Sequence, residues 1–154
     1  MRTSATGIKG FTLIEVLVVL AIAGVLIAVA AIDLFPSDRQ VARREAADMA
    51  LALERARDRA WFGGRPTAIT LNDGRLREWR LATNSWSGAS EQALPSDLRV
   101  NAIHVDGQPL DPAKDKLLFL PDGFGLPFRI ALDIRGQAWG IESDAAGAVT
   151  VIAP

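Results

Sequence analysis

The sequence has no cysteine and a single histidine, His104, in 154 residues. Without thiols there is no disulfide framework and no thiolate metal site. With one imidazole, a metal would fall to carboxylates, and Asp106, Asp111 and Asp115 are too scattered for a calcium loop. An excess of either charge is missing as well. The 17 Lys/Arg stand against 18 Asp/Glu, a formal net charge of −1, which gives no broad attraction to nucleic acid or to anionic lipid. There is no internal repeat, no low-complexity linker, no phosphate-binding glycine loop and no Gly-x-Ser-x-Gly elbow.

What the chain does have is one long apolar run. From Phe11 to Ile32 the only charged residue is Glu15. At about 1.5 Å per helical residue, the run reaches across roughly 30 Å of hydrocarbon. A carboxylate left unpaired in lipid costs on the order of a few kcal/mol, so a cation is expected to meet it. Residues 1–10 carry Arg2 and Lys9 and no acid, which holds this end in the cytoplasm. The run is longer than a cleaved secretory signal needs, although Ala28-Val29-Ala30 mimics a small-x-small cleavage site. A plain single-span anchor accounts for the length but gives Glu15 no role.

Beyond Ile32 about 120 residues remain, enough for one packed core. Pro36 removes a helical hydrogen bond and is expected to kink or restart the helix, with Ser37 or Asp38 as N-cap. From Asp38 to Phe62 the chain reads as an amphipathic helix, with Ala42, Ala46, Met49, Leu53, Ala56 and Ala60 on one face. Opposite them lie arginines interleaved with acids. That is the pattern of a solvated face held by pairs such as Arg44–Asp48, not of a nucleic-acid groove. Gly63-Gly64 and Pro66 stop the helix.

From Thr67 the pattern turns to short strands. Thr67–Leu71 and Leu76–Leu81 flank the hairpin signal Asn72-Asp73-Gly74. A polar loop, 83–97, contains Trp86, and a second, 106–115, follows the strand Leu98–Val105. Lys116–Leu120 is short and apolar. Phe128, Ile130, Leu132 and Ile134 alternate with polar or small residues, the clearest half-buried strand. Ala138–Glu142 and Val149–Ile152 complete the sheet. A long helix before antiparallel strands is an α+β arrangement. The expected organisation is residues 1–10 as basic leader, 11–35 as transmembrane helix, 36–62 as amphipathic helix and 63–154 as a β-sheet domain on the far side of the membrane.

Gly10-Phe11-Thr12-Leu13-Ile14-Glu15, preceded by a basic leader, resembles the type III signal of the type IV pilin and type II secretion pseudopilin superfamily. The resemblance implies cleavage by a prepilin peptidase between Gly10 and Phe11 and N-methylation of the new Phe11 amine. It implies a pilin-like fold, and a Glu15 that meets the Phe11 amine of a neighbouring subunit during assembly. In lipid that pair attracts far more strongly than in water.

Phe119-Leu120-Pro121-Asp122-Gly123, with Pro127-Phe128-Arg129, is similar to a segment of H-type minor pseudopilins of type II secretion. Taken alone, Pro121-Asp122-Gly123 is a turn that needs no ligand. The resemblance implies a minor pseudopilin near the tip of a periplasmic pseudopilus that drives export of folded proteins across the outer membrane. Its implied partners are the other minor pseudopilins, the major pseudopilin, the prepilin peptidase and the inner-membrane secretion platform. Its implied place is the bacterial inner membrane, single-pass, with the C-terminal domain in the periplasm. Neither a cofactor nor nucleic acid is expected. Minor pilins of type IV pili are the alternative, although they often carry a C-terminal cysteine pair that is absent here.

A membrane-tethered periplasmic enzyme is the reading from another class. His104, between Ile103 and Val105, reads as a structural or surface strand residue rather than a general base. Asp122 and Asp133 are the carboxylate pair to propose, at a separation that sequence does not define. An enzyme also gives Glu15 nothing to do.

Overall fold

The computed structural model describes residues 12–34, 37–123 and 125–154, with the backbone alone for 30–34. The chain divides into two compact units, Met1–Ser37 and Asp38–Pro154. In the first, helix α1 (Leu13–Leu34) is 22 residues long. Its leucines, valines and isoleucines from Leu13 to Val29 are exposed on every side, the mark of a helix that needs an apolar surrounding. Among the described residues no helix is long and apolar enough to cross a membrane. The described side chains of α1 end at Val29, short of the end of the apolar run. The break expected at Pro36 lies outside the described residues.

The second unit opens with helix α2 (Asp38–Gly63), 26 residues or about 39 Å long. It buries Ala42, Ala46, Met49, Ala50, Leu53, Ala56 and Ala60, the expected stripe with Ala50 added. Small side chains let the helix sit close to the strands beneath it. Those strands form two antiparallel sheets. One has the order β3 (Trp86–Ala93), β2 (Arg75–Leu81), β1 (Thr67–Asn72), β6 (Leu117–Phe119). The other runs β5 (Gln108–Leu110), β4 (Leu98–Val105), β7 (Phe128–Ile134), β8 (Gln137–Ser143), β9 (Val149–Ile152). Helix α2 touches β1 and β6 of the first sheet and β7, β8 and β9 of the second. The fold is α+β, as expected.

Hairpin chemistry sets the register. Asp73 and Gly74, at φ 52° and 65°, and Asp106 and Gly107, at 50° and 74°, are paired left-handed turns. This geometry matches the twist of two-residue hairpins. Strand β7 buries Phe128, Ile130, Leu132 and Ile134. Strand β1 is buried on both faces. Ile69 and Leu71 face the core, while Ala68 lies opposite Trp79 in register. The Trp79 indole N–H donates to Thr70 Oγ1 at 3.1 Å, and the Lys116 ammonium sits 5.0 Å from the ring centroid.

Three expectations change. Trp86, placed in a polar loop, begins strand β3, which pairs with β2 from Arg75↔Ala93 to Leu81↔Trp86. Its side chains are almost all exposed, so backbone pairing leaves no apolar alternation to read. Gln108–Leu110, in the second loop, pairs with Ile103–Val105 because the Asp106-Gly107 turn folds it back. The Arg44–Asp48 pair does not form. The ion pairs of α2 are Arg57–Asp58, Arg59–Glu78 and Asp38–Arg135.

Candidate processing and assembly site

Gly10 and Phe11, the expected cleavage and methylation residues, lie outside the described residues. Glu15 is within them, in the first turn of α1. Its N–H donates to Thr12 O at 3.1 Å, and its side chain is exposed among the apolar ones around it. A carboxylate there is favoured by the partial positive charge of the helix N-terminus. Among the described residues no basic group comes within ion-pair reach of it. Glu15 thus stands near the start of a helix whose next charged residue is Asp33, with no counter-charge among the described residues.

Among its described residues the second unit carries no comparable reactive cluster. His104 is exposed on β4, opposite Arg129, which pairs with Glu142. Asp133 accepts from the Gly136 N–H at 3.1 Å and so closes its own hairpin. Among the described residues no group of three or more His, Cys, Asp or Glu is arranged to hold a metal. Pro121-Asp122-Gly123 forms a turn, with Gly123 at φ 78°.

A surface that sequence reading did not single out lies around that turn. The Trp61 and Phe62 rings stack with centroids 5.5 Å apart, both exposed. The Trp61 indole faces Gly123. Leu118, Leu120 and Leu126 line a narrow cleft beside Gly123 and Gly125, and beneath it Phe119 meets Phe128 edge-to-face at 6.1 Å. Two adjacent aromatics just before Gly63-Gly64, off the buried stripe, were the available signal.

These features define a pilin-like protein: an N-terminal, largely apolar helix with an acid in its first turn, and a second helix packed on antiparallel strands. The profile of the prokaryotic N-terminal methylation motif matches residues 6–31, and that of type II transport protein GspH matches residues 45–151. The chain belongs to the GspH family, the minor pseudopilins of the type II secretion system. It is 30% identical over 143 residues to type II secretion system protein H of Escherichia coli, covering 83% of this chain and 82% of that protein. The crystal structure of the minor pseudopilin EpsH from Vibrio cholerae superposes with a TM-score of 0.62 at 19% identity, covering 77% of this chain and 97% of that one. The type IV minor pilin FimU of Pseudomonas aeruginosa gives a TM-score of 0.55 at 18% identity, covering 75% of this chain and 90% of that one. At these identities the two structures speak for the fold.

Proposed function

We propose that a prepilin peptidase cuts this chain between Gly10 and Phe11, that the Phe11 amine is methylated, and that the run from Phe11 to Ile32 holds the mature protein in the inner membrane. The domain that follows then lies in the periplasm, near the tip of a pseudopilus built with the major and the other minor pseudopilins. The role is structural rather than enzymatic: the filament couples assembly at the inner-membrane platform to export of folded proteins across the outer membrane. The observation that carries this reading is Glu15, the acid in the first turn of α1, which meets no cation among the described residues. Cleavage at Gly10/Phe11 creates an ammonium about one helical turn from such an acid. In lipid an acid of one subunit and an amine of the next hold each other in register.

In-frame deletion, with exoproteins assayed in medium and periplasm, tests the whole reading. Exoprotein trapped in the periplasm with twitching and DNA uptake intact is the expected result; normal secretion overturns it. Gly10→Val is expected to leave the leader attached, seen as a slower band on a gel. Glu15→Val is expected to be cleaved normally and yet fail to enter the filament, and secretion at the unsubstituted level would remove Glu15 from the mechanism.

A further inference from the structure

The two sheets have four edge strands, β3, β6, β5 and β9, and three of them are fastened by apolar side chains. Strand β6 buries Leu117 and Phe119. Strand β5 packs Leu110 against the core, and β9 packs Val149 and Val151. Strand β3 is the exception. None of its residues belongs to the core or packs against it, and only Trp86 is half-buried. Its fastenings are polar: Glu91 pairs with Arg75 and Arg77, and the Ser87 hydroxyl donates to Arg80 O at 3.3 Å. Even the ladder to β2 is interrupted midway. The register shifts between Glu78 and Trp79, which leaves Ala89 without an opposite residue.

At that interruption lies Glu78, in register with Ser90 of β3, whose hydroxyl donates to it at 3.3 Å. The Glu78 side chain is 2% exposed, and its Oε1 has no hydrogen-bond partner, with Arg80 Nε at 3.9 Å. A buried carboxylate with one oxygen unmet carries a desolvation cost that water removes. We infer that β3 is a releasable strap: within the folded domain it lifts off β2 as a unit, admits water to Glu78 and leaves every other strand in place. Backbone pairing and the Glu91 ties hold the strap down, while the unmet acceptor of Glu78 pushes it up. Arg59, already part-exposed, stays paired with Glu78 as the site becomes wet. Only Trp86 gives up apolar contact, so the main force holding the fold is hardly engaged. Lifting bares the backbone groups of β2 along Arg75–Leu81, which the closed strap keeps covered.

Native-state hydrogen exchange on the full chain in detergent micelles tests the strap. The amides that bond β2 to β3 are expected to exchange together, about 100-fold faster than those that bond β2 to β1. Glu78→Met removes the unmet acceptor and makes lifting expose an apolar side chain, so it is expected to slow that exchange about tenfold. Glu91→Gln weakens the ties and is expected to speed it about threefold. Arg80→Cys with Ser87→Cys, facing each other across the pair in a chain without other cysteines, locks the strap. Oxidation is expected to bring the β2–β3 amides to the protection of the β1–β2 amides, and reduction to release them. Exchange of both ladders at one common rate overturns the inference, because β3 then leaves only with the whole domain. So does Glu78→Met that speeds the exchange or leaves it unchanged, which makes Glu78 a fastening. Fast exchange that survives the disulfide overturns it too, since water then reaches the ladder without any lifting. The strap is a property of the fold, and none of these outcomes depends on leader processing or secretion.

Discussion

Glu78 shows how much one side chain can commit a fold to a particular packing. It is a carboxylate 2% exposed in the middle of β2, paired to Arg59 of α2, with Arg80 Nε 3.9 Å away and the Ser90 hydroxyl donating at 3.3 Å. A buried ion is tolerable only while its partner stays. Arg59→Ala is therefore expected to lower the stability of the domain by about 2 kcal/mol in urea unfolding, and Glu78→Met by less, since Arg59 is exposed enough to return to water. Equal losses from both would show that packing, not charge, is at stake. Gly123 makes the opposite kind of commitment. An added Cβ would meet Trp61 at an ordinary 3.7 Å, but φ 78° strains any L side chain, so Gly123→Ala is expected to cost about 1 kcal/mol. The roles proposed for Gly10-Phe11 and Glu15 rest on one stretch of sequence because the chemistry they would perform is local. Glu78 was not, since the alternation of Arg75, Arg77 and Arg80 around it makes β2 look solvent-facing until α2 lies on top.

At the scale of elements, legibility followed the apolar period. The stripe of α2 and the strands Leu98–Val105 and Phe128–Ile134 could be traced because one face of each is buried, and Val149–Ile152 because Val149 and Val151 are partly buried against the core. Strand β3 could not, because an edge held by backbone pairing to β2 needs no apolar side chains. Its one strong side-chain tie is Glu91, whose carboxyl is held below the ordinary carboxylate range, first by the hydrogen bond from Arg75 and then by Arg77. A depressed carboxyl supports the fold above its ordinary titration range, and that support disappears as pH falls through the lower, folded value. The Arg75→Ala variant is expected to move the Glu91 carbon-13 titration upward, toward the ordinary value. An unmoved titration would assign the shift to Arg77 alone. The approach of Trp61 to Gly123 escaped sequence reading for another reason: it brings the end of a helix to a turn far along the chain, and no local pattern records that meeting.

At the scale of the molecule, the division at Asp38 matters most. Its carboxylate, the first residue of α2, is bonded to Arg135 at 2.8 Å, and the same guanidinium reaches Asp97 at 3.3 Å. The start of the helix is thereby tied to the β7–β8 turn and to the segment before β4. Replacing Arg135 with Ala is expected to loosen amide protection in the first turn of α2 and leave that of β7 unchanged, as hydrogen exchange would report. From that tied end, α2 runs across both sheets and is held along its length by β1 and β6 on one side and β7, β8 and β9 on the other. The filament proposed above would load its subunits mechanically. A pull applied at Asp38 along the axis of α2 loads it in shear, so all its contacts resist together instead of opening one after another. The domain should give way under tension in a single rupture, with no intermediate in which one sheet has let go and the other still holds.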